Sequence, residues 1–90
     1  MVLAAGKVLK LLVIDDSDDD VFFVIRTLQK SGLSFEHTHV TCREEMIGAL
    51  PEQEWDLVIT DHHMNGFSST EAISIIRKSH ADLPIVIVSG

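Results

Sequence analysis

Leu11-Leu12-Val13-Ile14-Asp15-Asp16 is an apolar run that ends on two acids, and Leu57-Val58-Ile59-Thr60-Asp61 repeats the pattern with one. A third run, Ile85-Val86-Ile87-Val88, ends on Ser89. Aliphatic and β-branched runs of this length read as strands buried on both faces, and hence as parallel strands. Parallel strands bring their C-terminal ends to one edge of the sheet, where open α/β folds bind ligands. Asp15, Asp16, Asp61 and the Ser89 hydroxyl are therefore expected at a single edge. Carboxylates about 4 Å apart repel by roughly 1–4 kcal/mol, depending on the local dielectric. A bound cation or a shared proton relieves that repulsion. An oxygen-lined, strongly acidic site suits a hard cation, and Mg2+ is the one expected.

The rest of the composition narrows the function classes. Ninety residues make one small domain, spanning 1–90. With 46% hydrophobic and 23% charged residues, the chain has the balance of a globular protein. Its net charge is −7 and its Lys and Arg residues are scattered singly, so no basic stripe exists to hold a nucleic-acid backbone. Cys42 is the only cysteine, which excludes an intramolecular disulfide. Met1-Val2-Leu3-Ala4-Ala5-Gly6-Lys7 lacks the basic flank and apolar length of a signal peptide. No run approaches the roughly 18 apolar residues of a membrane span. The expectation is a cytoplasmic domain that contacts neither membrane nor nucleic acid.

Strands and helices alternate along the sequence. Val8 to Ile14 reads as a strand, and Ser17 or Asp18 then caps a helix over 18–31 with Val21, Phe22, Val24, Ile25 and Leu28 facing inward. Acidic residues suit its first turn and Gly32 closes it. Phe35 to Val40 reads as an edge strand with His37 and His39 on one face. Thr41-x-x-Glu44 is a capping box for a short helix carrying Met46, Ile47 and Leu50 and stopped by Pro51. Trp55 to Thr60 is the third strand, and Ser68-x-x-Glu71 opens a helix over 69–79 with Ala72, Ile73 and Ile76 inward. Pro84 starts the fourth strand. Such alternation implies right-handed crossovers and helices on both faces of the sheet.

From its first strand to its fourth, the chain resembles the response-regulator receiver domain. The acidic pair Asp15-Asp16, the position of Asp61, the loop Asp61-His-His-Met-Asn-Gly-Phe-Ser-Ser and Ser89 carry the resemblance. The Gly-Phe-Ser segment is most similar to receivers attached to sensor kinases. The resemblance implies a flavodoxin-like, doubly wound α/β fold, with a (βα)3β fragment of a (βα)5 receiver in strand order 2-1-3-4. It further implies that Asp61 accepts a phosphoryl group from a phosphohistidine. Asp16 and Asp61 would ligate Mg2+ directly, Asp15 through water, and His63 through its backbone carbonyl, while Ser89 would contact a phosphoryl oxygen. A histidine kinase or phosphotransfer protein would be the donor, and a downstream effector or attached output domain the reader. The implied role is a signalling switch rather than an enzyme. The chain departs from the family pattern at Asn65, where Pro is usual, and at Ser69, where Gly is usual. The family's fifth strand, with its lysine and switch aromatic, has no counterpart before Gly90, so a receiver cut short is expected, able to dimerise through the apolar face flanking Phe22 and Phe23.

Competing readings fit fewer residues. A calcium loop starting at Asp16 would need Gly at its sixth place and Glu at its twelfth, where Val21 and Thr27 stand. A zinc site from His37, His39, His62 and His63 would lack cysteine and draw on two different strands. A haloacid-dehalogenase-type phosphatase could use Asp16-Ser-Asp18 and Ser89, but leaves Asp61 without a role. A docking module that works without phosphorylation would keep the same acids.

Overall fold

Leu11, Leu12, Val13 and Ile14 are all nearly inaccessible to solvent, which requires packed layers on both sides of their strand. A computed structural model describes residues 8–64 and 66–88 and supplies those layers. The strand β1 (Leu9–Ile14) lies at the centre of a parallel sheet between β2 (Phe35–Val40) and β3 (Leu57–Asp61). A short hairpin, β4 (His63–Met64) with β5 (Phe67–Ser68), follows β3, so the last sheet strand is β6 (Ile85–Val88). The order is β2-β1-β3-β6, which is the expected 2-1-3-4 once the hairpin is left out of the count.

Among the described residues three α-helices cover the sheet, with α1 (Asp18–Lys30) on one face and α2 (Arg43–Ala49) and α3 (Ser69–Ser79) on the other. Alternate β1 residues divide between the layers, because successive side chains of a strand point to opposite faces. Val13 meets Val21 and Ile25 of α1, whereas Leu12 and Ile14 join Met46, Trp55, Phe67 and Ile76. Trp55 also donates its indole N–H to the Leu50 carbonyl at 3.2 Å. This is the doubly wound arrangement about a parallel sheet that the sequence implies.

The helix boundaries follow from their caps. Ser17 accepts a hydrogen bond from the Asp20 N–H at 3.3 Å, and Ser68 accepts one from the Glu71 N–H at 3.2 Å. Gly32, at φ +87°, takes the left-handed conformation just past α1, where an L side chain would be strained. The box at Thr41 differs from expectation. Cys42 is the N-cap of α2, and Glu45, not Glu44, reaches back to the Thr41 N–H and hydroxyl at 2.7 Å each. The helix starts one residue later than the Thr41-Glu44 spacing predicts, so the third helical position falls on Glu45. Pro51 does not simply stop α2 but sits in a single 3-10 turn, Leu50–Glu52, that continues it.

Three apolar helix residues are less buried than their patterns suggest. Phe22 is 67% exposed, Ile47 is exposed, and Ile73 is only half-buried while Ile75 packs on the core. A 3.6-residue period fixes a stripe but not its width, and against the sheet beneath α1 only Val21 and Ile25 are fully buried. Val86 and Ile87 are likewise exposed, since β6 pairs with β3 alone among the described strands. Truncating a fully buried α3 side chain should be costly. Ile76→Ala is expected to lower stability by about 2–5 kcal/mol, against under about 0.5 kcal/mol for Phe22→Ala, in denaturant unfolding. Equal losses would contradict the packing described.

Candidate functional site

The acidic edge is assembled by strand register. Ile14 pairs with Thr60 across β1 and β3, so Asp15, the residue just past β1, emerges beside Asp61. On its other side, Asp15 donates its N–H to the Val40 carbonyl at 3.0 Å, which carries the β1–β2 ladder one step further. Its carboxylate is buried and accepts the Ser17 N–H at 2.9 Å, forming an Asx turn that leads into α1. Its carbonyl lies 2.7 Å from His39 Nε2, so the β2 histidine braces the same residue from behind. Asp16 is exposed and Asp61 half-buried, with the Asp61 Oδ1 accepting the His62 N–H at 2.9 Å. Ligand atoms from Asp15, Asp16 and Asp61 all lie within 4.8 Å of one another. Among the described residues this cluster meets the geometry of a metal site, and no histidine joins it.

Burial pushes the Asp15 carboxyl above its ordinary value of 3.8, and the Ser17 N–H only partly opposes this. The negative charges of Asp61, Asp20 and Asp16 raise it further. A proton is thus held more tightly where a cation would relieve the same repulsion. The donor set is entirely carboxylate, with Asp16 exposed and Asp61 half-buried, which fits a hard divalent ion that keeps several waters. Asp18 does not join it. Its carboxylate is exposed at the first residue of α1 and lies 3.7 Å from His39 Nδ1, which leaves the dehalogenase-type pair Asp16 and Asp18 unassembled.

Beyond Asp61 the chain turns through the hairpin and into α3. Met64 and Phe67 are buried in the core beneath α3, and Gly66 at φ +68° makes the turn between them. Arg43 of α2 lies over the Phe67 ring, 5.8 Å from its centroid, and pairs with Glu71 in the first turn of α3. Ser69 is buried, donates its N–H to the His62 carbonyl at 3.2 Å, and shares a hydrogen bond between its hydroxyl and His62 Nδ1 at 3.0 Å. The contributions of His39 and Ser69 were not anticipated from sequence. For Ser69 the only signal was a serine where the receiver pattern has glycine. His63 lies on β4 two residues past Asp61, whereas Ser89 and Asn65 fall outside the described residues. An apolar groove of about 440 Å³ runs from Phe23 and Val86 to Asp15 and Asp61, so the acids stand at its polar end.

A raised carboxyl pKa has a definite sign for stability. The folded state holds the Asp15 proton more tightly than the unfolded chain does, so ionised Asp15 disfavours folding at neutral pH. Stability from this group is regained as pH falls through the folded value and is fully present below 3.8. Asp15→Asn keeps the acceptor for Ser17 and removes the charge. It should raise the melting temperature at pH 7 without Mg2+, by about 4–8 °C per kcal/mol relieved, and the gain should vanish near pH 4. A lower melting temperature for the variant at pH 7 would contradict this account.

Residues 11–90 match the family described as the response regulator receiver domain. The chain superposes on a response regulator receiver protein from Pseudomonas putida with a TM-score of 0.77 and 31% identity, over 96% of this chain and 71% of that one. A chain in the crystal structure of histidine kinase ThkA in complex with response regulator protein TrrA gives a TM-score of 0.74 and 28% identity, over 91% of this chain and 69% of that one. The Sensory/regulatory protein RpfC of Xanthomonas campestris pv. campestris is 28% identical over 91 residues, which cover 97% of this chain and 12% of that protein. The match thus spans a small part of a much longer relative. With its register-built acidic edge and doubly wound sheet, the chain belongs to the response regulator receiver domain family of two-component systems.

Proposed function

We propose that the domain is a phosphorylation-operated switch in which Asp61 receives a phosphoryl group from a phosphohistidine of a histidine kinase or phosphotransfer protein. One observation carries this reading: Asp61 is the partly exposed member of three carboxylates within 4.8 Å at the C-terminal edge of parallel strands. The likeness to a kinase–regulator complex supports a kinase as the donor. Asp15, Asp16, Asp61 and the His63 carbonyl would hold Mg2+, with Asp16 and Asp61 as direct ligands and Asp15 acting through water. When bound, the ion neutralises charge on the phosphoryl oxygens.

The chain's own residues do the remainder. The His62 N–H, on Asp61 Oδ1, fixes the carboxylate rotamer at the strand end. An Asp61 oxygen attacks phosphorus in line, the new O–P bond replaces the P–N bond of the donor, and the released imidazole nitrogen takes a proton. Most of the acceleration comes from positioning and charge, since the transferred group needs little covalent help. Ser89 would then contact a phosphoryl oxygen and pull on the end of β6. The phosphoryl group adds about two negative charges, and an attached output domain or separate effector would read the change. The setting would be cytoplasmic; among the described residues no helix is long and apolar enough to cross a membrane. Self-association would involve the apolar face of Phe22, Phe23 and Val86.

Incubation with acetyl phosphate and Mg2+ should add one phosphoryl mass to the protein. Asp61→Asn should abolish the shift and Asp15→Asn should only slow it, read by intact-mass spectrometry over time. Labelling that survives Asp61→Asn would remove the phosphoacceptor assignment. Mg2+ binding, followed by the amide NMR signals of Thr60 to His62, should weaken most in Asp16→Asn, by at least about tenfold for loss of a direct ligand. Trp55 is a poor reporter for this, being packed before the start of β3 at the opposite end from Asp61. Unchanged affinity in Asp16→Asn would take Asp16 out of the site.

A further inference from the structure

Ser69 has a buried hydroxyl that the phosphoryl chemistry does not use, and it touches the residue between two of the assigned site positions. It is only 1% exposed. A hydroxyl buried without a partner is unfavourable, and here the partner is His62 Nδ1 at 3.0 Å. Ser69 is also the first residue of α3, so its N–H is one of the donors that a helix start leaves without an internal acceptor. That donor goes to the His62 carbonyl at 3.2 Å. One residue therefore grips His62 twice, by main chain and by ring.

The other side of His62 is held as well. Its N–H reaches the Val88 carbonyl at 3.0 Å and Asp61 Oδ1 at 2.9 Å. With the amide anchored to β6 and Asp61, and the carbonyl and ring anchored to α3, both peptide planes flanking residue 62 are fixed. Those planes fix the Cα atoms of Asp61 and His63 relative to each other, the two points from which the Asp61 carboxylate and the His63 carbonyl extend. The anchor itself is rigid: α3 is capped by Ser68 and packed through Ala72 and Ile76, both fully buried. A loop residue held in this way differs from one held by solvent-exposed contacts, because its position follows the core.

We propose that Ser69 is a positioning residue of the acidic site, clamping His62 so that Asp61 and the His63 carbonyl keep the spacing that a divalent cation needs. This rests on the reading of that site as a Mg2+ site. Partners that orient ligands without touching the metal commonly change its affinity, and the effect is about tenfold or more on removal. Ser69→Ala deletes the ring contact and leaves the backbone one.

The test uses the whole chain and Mg2+ alone. Affinity is read from amide NMR shifts of Asp61 and His62 in wild type, Ser69→Ala, His62→Ala and the double variant. Each single variant should bind Mg2+ about tenfold more weakly, and the double variant should lose no more than either single one. In the Mg2+-free protein, Ser69→Ala should also move the His62 imidazole 15N shifts, a signature that loss of packing alone would not produce. Equal affinity of Ser69→Ala and wild type overturns the proposal and leaves the metal site standing. Losses that add in the double variant overturn it too, by giving Ser69 a packing role independent of His62. Absence of any Mg2+ response in the wild type overturns the site and the proposal together. If Ser69→Ala does not fold, His62→Phe, altered only at an exposed side chain, reads the same tether with the same expectation.

Discussion

In the parallel ladder of β1 with β3, Ile14 stands opposite Thr60, and the acidic edge depends on that pairing. Strand side chains alternate, so a slip of one residue would send Leu12 and Ile14 to the α1 layer and Val13 to the other. It would also separate Asp15 from Asp61. Burial on both faces forbids the slip, because each layer is shaped for its own residues. The register is pinned at the opposite end as well. Asp56 donates its N–H to the Lys10 carbonyl at 2.8 Å and accepts the Lys10 N–H on its carboxylate at 2.8 Å. An acid with no part in the site thus helps to align those that have one.

That alignment works against the stability of the unliganded domain. Small domains are stable by only a few kcal/mol, and here one carboxyl is buried beside two more. The Asx turn to Ser17 and the His39 brace hold Asp15 in place without neutralising it. A ligand that binds only the folded edge recovers stability in proportion to its concentration over its dissociation constant. The cost falls on the same few atoms to which the proposed function is assigned, as is common where a site needs groups that packing alone would not choose.

The parts of this architecture that were legible in the sequence are those encoded locally. The aliphatic runs ending in acids located β1, β3 and the carboxylate cluster, and α3 begins and ends where Ser68 and the 3.6 period place it. What was hidden depends on partners distant in the chain or on elements too short to show a period. The two-residue strands β4 and β5 are of that kind, with Met64 and Phe67 turned inward. His39 reads as one face of an edge strand until β1 brings the Asp15 carbonyl beside it. Phe22 counts toward an apolar stripe until α1 settles on the sheet through Val21 and Ile25 and leaves it facing solvent. Ser69 was visible as a departure from a familiar pattern, but its contact with His62 requires the hairpin between them.

That hairpin ties the loop after Asp61 to the interior. Met64 and Phe67 belong to the same cluster as Leu12, Val58 and Ile76. Peeling the segment away would expose two large apolar side chains, at about 1.5–3 kcal/mol apiece. Local fraying therefore offers little advantage over global unfolding, and the amides of this segment should share the slow hydrogen exchange of β3 rather than behave as a surface loop. Under the proposed switch, a change at Asp61 would meet a segment tied by His62 to Ser69 and by Met64 and Phe67 to the core, and not a loose surface loop.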